Sequence, residues 1–361
     1  MDKGKRKLIL LVIHSCSFNG APLLGLNIVK ELKKRGYFVF TICLDKGELL
    51  KQYKKQCFIV HSNSLRKTEI IIKLLKLIGL QNIICNSVLT GDITKIAEEN
   101  KLKVITLIHE LPGSIKINKA ERKAKEIAKY SHYTIFPNHF VKDKFLTLFP
   151  VKRDRVIVKP QGLYMNIHQN YDEKTKQQKK KEMGFLPKDK IVICIGYGGI
   201  VKGIDLFYRV AGNVIKLDKS IRFVWVGDID SKYNWISKHI KSNNITLIPP
   251  TKQIEDYYRI ADLYLITSRE DSFPSVVLEA IAYGIPVLGF NDAGGFIELD
   301  RKFVSLVNYL DYDAMAKAVI EILQDTELIN YVRNSGKNYI NHNFDFSQYV
   351  TYLLSLFRNM K

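Results

Sequence analysis

Short apolar runs of strand character alternate along this chain with amphipathic stretches of helical period, and the alternation is played through twice. Strands are expected over 7–16, 38–44, 58–61, 82–86, 103–109, 133–137 and 155–160. After a lysine-rich stretch, 174–181, they resume over 190–197, 221–227, 245–249, 263–268, 286–290 and 303–307. Strand–helix–strand units with continuously apolar strands demand parallel sheets covered by helices on both faces. Two successive Rossmann-like sheets follow, in keeping with 361 residues at roughly 150 per domain. Such sheets bind ligands beyond the C-terminal ends of their strands, so the loops there carry the functional expectations.

Other architectures are excluded. Hydrophobic residues make up 46% and charged ones 25%, which is the composition of a globular protein and not of a disordered one. No apolar run is long enough to cross a bilayer. The basic start runs into a strand with no small-residue cleavage site behind it, so a cytoplasmic protein is expected. The five cysteines form no CxxC pair and mostly sit in apolar runs, as reduced core thiols would. Charge is uneven: residues 1–160 hold 31 Lys and Arg against 13 Asp and Glu, an excess of 18 out of the chain's net +20. That excess favours an anionic partner such as a phosphorylated substrate or an anionic membrane surface. Basic and aromatic residues are not interleaved and no recognition motif appears, which argues against nucleic acid. The stretches 65–80 and 119–129 are the basic helical candidates for a membrane face, and packing of the first against the sheet is the competing reading.

The second half is richest in candidate chemistry. Gly196-Tyr-Gly198-Gly-Ile-Val-Lys202-Gly lies between an expected strand and a helix starting near Ile204, where backbone amides and Lys202 can meet an anion. The stretch Thr267-Ser-Arg269-Glu-Asp271-Ser-Phe-Pro-Ser275-Val276-Val-Leu-Glu279 closes a strand and opens a helix at Pro274, with carboxylates on both sides of the turn. A third loop, Asn291-Asp-Ala-Gly294-Gly295-Phe-Ile-Glu298, leaves room for close ligand approach. Asp228-Ile-Asp230 has the spacing of a metal-binding carboxylate pair, but it follows a strand inside a Rossmann-like half and reads as a strand-end turn. No metal is expected.

Taken together these motifs resemble the retaining glycosyltransferases of family 4, over almost the whole chain. The family's Glu-x7-Glu motif is matched by Asp271 and Glu279. Three further segments are similar to family segments: the first-strand loop from His14 through Gly20 to Pro22, Ile108-His109-Glu110-Leu-Pro112, and the run from Val158 to Tyr164. The resemblance implies a GT-B fold: two facing Rossmann-like domains with parallel sheets and a cleft between them. It divides the chain into an acceptor domain (1–165), a basic linker (166–189), a donor domain (190–345) and a C-terminal helix (346–361) packing back on the first domain.

The resemblance also implies roles. Lys202 would hold the donor diphosphate, Glu279 the nucleotide ribose and Asp271 the transferred sugar. The amides of Ser275 and Val276 would face the phosphates, Gly294 and Gly295 the sugar, and Gly20 and Gly198 would leave space for the donor. The family's usual Arg near the Lys is replaced by Tyr197 and Val201, with Arg269 as a candidate substitute. His109 would orient sugar or acceptor, and His14 and Glu110 would lie on the acceptor side. The implied reaction moves a sugar from a nucleotide-diphosphate sugar (UDP- or GDP-) to a glycan or lipid-linked oligosaccharide with retention, needs no cofactor or metal, and serves bacterial surface polysaccharide synthesis, peripherally on the inner face of the membrane. Another GT-B enzyme (an epimerase or a glycogen-type synthase) and a non-catalytic nucleotide-sugar binder stay open as alternatives.

Overall fold

The computed structural model describes residues 7–165, 167, 172–239 and 244–360. The chain divides into two compact units, residues 1–164 with 345–361, and residues 165–344.

Unit 1 is built on seven parallel strands, β1 (Leu8–Ile13), β2 (Phe38–Cys43), β3 (Phe58–His61), β4 (Asn82–Asn86), β5 (Lys103–Leu107), β6 (Tyr133–Phe136) and β7 (Val156–Val158). They are ordered β3-β2-β1-β4-β5-β6-β7. All six residues of β1 are buried because the sheet is covered twice. Ile9, Leu11 and Ile13 share a core with Leu24, Ile28 and Leu32 of the helix Gly20–Lys34 and with Tyr349, Leu353 and Phe357 of the helix Phe346–Asn359. The alternate residues Leu8, Leu10 and Val12 pack with Ile72 and Leu75 of the helix Leu65–Leu77 and with Ile93 and Ile96 of Asp92–Glu99. The last helix is pinned to the first: Arg35 donates to the Ser347 carbonyl at 2.6 Å and to Thr351 Oγ1 at 2.7 Å.

The helix Leu65–Leu77 packs one face inward and exposes the other. Thr68, Ile72 and Leu75 are buried. Ile70, Leu74, Leu77 and Ile78, on the opposite stripe, are 51%, 58%, 83% and 70% exposed.

Unit 2 carries β8 (Lys190–Ile195), β9 (Ile221–Val226), β10 (Ile245–Ile248), β11 (Leu263–Ile266), β12 (Val287–Phe290) and β13 (Val304–Val307), all parallel, ordered β10-β9-β8-β11-β12-β13. In both sheets the order runs outward from the first strand and then reverses past it. This puts a topological switch point between β1 and β4 and another between β8 and β11.

From residue 172 on, the stretch expected as a linker is folded instead; residues 166 and 168–171 of it lie outside the described residues. Residues Glu173–Glu182 form a helix capped by Asp172, which accepts from the Thr175 amide. Two of its lysines are buried: Lys176 and Lys180, one turn apart, reach the two oxygens of Asp262 at 2.6 and 2.9 Å, just before β11. Lys176 also donates to Ala261 O and Lys180 to Asp189 O. A lysine run has the composition of a solvated connector; a carboxylate 86 and 82 residues further on makes this one a packed face.

Candidate functional site

In unit 2, three loops after β8, β11 and β12 are tied together. Gly203 opens the helix Ile204–Leu217 in a left-handed conformation (φ 68°), and a Cβ there would stand 2.1 Å from the Thr267 carbonyl oxygen, so only glycine lets the first loop lie on the end of β11. Thr267 Oγ1 donates to Gly203 O at 3.0 Å, and the Arg269 amide to Val201 O at 2.7 Å. Across this junction the Lys202 ammonium pairs with the Asp271 carboxylate, which also accepts from Ser268 Oγ at 3.3 Å. Burial works against the ammonium, but Asp271 outweighs it and holds the lysine above its ordinary range. The third loop closes on the same residue: the Asp271 amide donates to Ala293 O at 2.8 Å, the Gly295 amide to Asp271 O at 3.0 Å, and Gly294 has no Cβ to strike that oxygen.

The helix Ser275–Ala282 begins one residue later than expected, with Pro274 as its N-cap. Its N-terminal end, with Ser275 and Val276, follows this junction. Glu279 is 6% exposed and accepts from Tyr258 Oη at 2.7 Å. Burial raises its carboxyl above the usual range, against hydrogen bonds from Tyr258 and Ser275 that favour the charged form. Tyr258 is itself fixed by a face-to-face stack on Tyr283, 5.1 Å between centroids and 5° apart in plane.

Other expected residues have partners of their own. Arg269 forms a two-pronged ion pair with Asp205, at 2.7 and 2.8 Å, and donates to Ile200 O. Its fork is therefore occupied, and only release from Asp205 would bring it to a diphosphate. The Gly198 amide donates to Asp228 O, and a Cβ there would crowd Ile229, Trp225 and that oxygen at 3.2–3.4 Å, so this glycine serves loop packing. Asp230 accepts from the Lys232 amide and starts a short 3-10 turn.

In unit 1 the strand ends at the other switch point gather His14, Asn86, His109 and Glu110. His109 Nε2 lies 2.8 Å from Asn86 Oδ1. Glu110 accepts from the Val88 and His109 amides, both at 3.0 Å, and from Ser87 Oγ. It thereby pins the β4 and β5 loops, and Ser87 beside it is held at φ 106°. His14 has a buried Nδ1 with no hydrogen-bond partner, and burial lowers its pKa against the pull of Glu110. Gly20 begins the helix Gly20–Lys34 with open space where a side chain would stand. Asn86 and Tyr258 escaped sequence reasoning: Asn86 reads as the polar end of an apolar strand, and Tyr258 as one of two adjacent tyrosines.

A glycine loop, a lysine and spaced carboxylates at the switch point of the second sheet coincide with a family model. Residues 175–339 match the model of glycosyl transferases group 1. That part of the chain belongs to the glycosyl transferases group 1 family. An uncharacterized glycosyltransferase of Haemophilus influenzae is 23% identical over 348 residues, 92% of this chain and 94% of that one. A putative teichuronic acid biosynthesis glycosyltransferase, TuaC, of Bacillus subtilis is 29% identical over 164 residues, 45% of this chain and 40% of its own. In structure, Anabaena Alr3699/HepE, solved in complex with UDP and glucose, superposes with a TM-score of 0.79 at 14% identity, covering 98% of this chain and 99% of that one. The fold of the chain is accordingly GT-B, a two-domain α/β architecture.

Proposed function

We propose that this glycosyltransferase-family protein moves a sugar from a nucleotide-diphosphate sugar to a glycan or lipid-linked acceptor, with retention at the anomeric carbon and without a metal. The observation that carries the reading is the Lys202–Asp271 pair, held by three loops, two of them glycine-bearing, at the switch point of unit 2 and followed by Glu279 on the next helix. Lys202 and the first amides of the helix Ser275–Ala282 supply positive potential for a diphosphate, whose charge grows as the sugar leaves. Glu279 supplies a buried acceptor for ribose hydroxyls, and Asp271 an acceptor for the sugar. Group 1 relatives named for surface-glycan synthesis, TuaC among them, support a bacterial surface polysaccharide as the product. The test is calorimetric titration with UDP, GDP and ADP in EDTA, followed by product analysis with the nucleotide sugar of the base that binds. Metal-free binding of one nucleotide and an axial or equatorial product linkage matching the donor support the reading; no binding, or an inverted product, overturns it.

The acceptor reading extends to an anionic membrane. Ile70, Leu74, Leu77 and Ile78 expose an apolar stripe beside Lys73 and Lys76, on a half of the chain with an excess of 18 positive charges. An acceptor carried on lipid would be met there, at the inner face of the membrane.

A further inference from the structure

Asn86 ends β4, is 1% exposed, and uses its side-chain amide in two hydrogen bonds of opposite sense. Its Nδ2 lies 2.6 Å from the Ala21 carbonyl oxygen, and its Oδ1 lies 2.8 Å from His109 Nε2. A carbonyl oxygen can only accept, so the side of the amide facing Ala21 must be the NH2 group. The side facing His109 is then the oxygen, and an oxygen requires a donor, so His109 Nε2 carries the hydrogen. Gly25 makes room for this arrangement: a Cβ there would stand 3.1 Å from Asn86 Nδ2 and 2.7 Å from Tyr53 Oη.

The ring is also kept neutral. Burial pushes the His109 pKa down to about 4; the Glu110 charge acts against this and the neighbouring His14 acts with it. Glu110 and His14 are the ionisable groups that reach the ring, and the Glu110 oxygens are engaged by Ser87 Oγ and by the amides of Val88 and His109. A neutral ring with its hydrogen on Nε2 has its lone pair on Nδ1.

We propose that Asn86 is a positioning residue that fixes His109 as the Nε2–H tautomer, so that the imidazole meets a substrate hydroxyl through an accepting Nδ1. The hydroxyl rests on the transferase reading above; the tautomer does not. A histidine held this way accepts a hydrogen bond from a sugar or acceptor hydroxyl and has no proton to give at that nitrogen. It therefore selects a ligand that places a hydroxyl, and not a carbonyl or an ether, against it.

The test uses the full chain with 15N-labelled histidine rings, observed at pH 7 by long-range 1H–15N correlation and assigned with His109→Gln. The expected spectrum has a protonated Nε2 and a bare Nδ1 on His109. In Asn86→Asp the oxygen facing His109 is kept, the hydrogen bond to the Ala21 carbonyl is lost because a carboxylate cannot donate, and the added charge stabilises imidazolium, so His109 should titrate about one pH unit or more higher and the pH profile of sugar transfer should move with it. A His109 carrying its hydrogen on Nδ1, a charged ring at pH 7, or an unmoved titration in Asn86→Asp overturns the proposal. Should that variant not fold, the spectrum of the unaltered chain decides by itself. Since the spectrum needs no sugar nucleotide, a wrong tautomer leaves the transferase reading standing, and a right tautomer without transfer removes only that reading.

Discussion

Lys202 and Asp271, 69 residues apart in the chain, neutralise one another at the switch point of the second sheet. An arriving diphosphate would compete with Asp271 for the ammonium and free the carboxylate for sugar hydroxyls, so one contact prepares two binding groups. Lys202→Ala should weaken nucleotide binding by roughly 10- to 100-fold, the scale of a charge-assisted hydrogen bond of about 1.5–3 kcal/mol. Calorimetry in EDTA reads this directly, and an unchanged affinity would remove Lys202 from the diphosphate.

Glu279→Gln should cost about tenfold in nucleotide affinity with little change in thermal midpoint. Burial raises the folded-state pKa of Glu279, so its charged form is a burden on the fold that is felt as pH rises, and the neutral amide still accepts from Tyr258. The carboxylate is nevertheless the better acceptor for ribose. Affinity should therefore fall as pH drops through the raised pKa in the native chain and stay flat in the variant. Titrations from pH 5 to pH 8 distinguish these outcomes.

Gly294→Ala tests the junction itself. Its φ of 169° is ordinary extended backbone, so the objection to a side chain is purely steric: a Cβ would stand 2.0 Å from the Asp271 carbonyl oxygen. The loops must separate, at about 1–3 kcal/mol, with a lower thermal midpoint and weaker nucleotide binding in the same protein. Native-like stability would show that the loops are not held as described.

The depressed pKa of His109 has a consequence for stability. Between its ordinary 6.5 and about 4 the unfolded chain binds a proton that the folded chain refuses. Stability should accordingly fall as pH drops through that window, by on the order of 3 kcal/mol at most, and burial of His14 acts in the same direction. Urea unfolding at a series of pH values, compared with His109→Gln, isolates the contribution as a shallower acid slope in the variant.

The exposed stripe on the helix Leu65–Leu77 predicts binding to vesicles containing anionic lipid and weaker binding at high salt. Leu74→Asp combined with Leu77→Asp should reduce flotation several-fold while the thermal midpoint stays within a few degrees, because both side chains are largely exposed. Equal flotation of variant and native protein, or no preference for anionic lipid, would end the membrane reading.

The thirteen described strands all fall within the stretches legible from apolar runs, because a parallel strand must be apolar along the length that is covered on both faces, as β1 is and as β8 is after Lys190. The glycine loops were legible for a similar reason: Gly203 stands where backbone meets backbone, and no other residue fits. Lys202, Asp271 and Glu279 stood out because they lie beside those loops. The tertiary structure decided the partners. Lys176 and Lys180 look like connector lysines until they meet Asp262, Arg269 looks free until it meets Asp205, and neither Asn86 against His109 nor Tyr258 against Glu279 leaves any mark in local pattern. A sequence declares which residues must be buried, since burial recurs with the period of the strand or helix. Which charge or hydrogen bond compensates a buried polar group depends on neighbours 21 to 86 residues away, and only the assembled sheet brings them together.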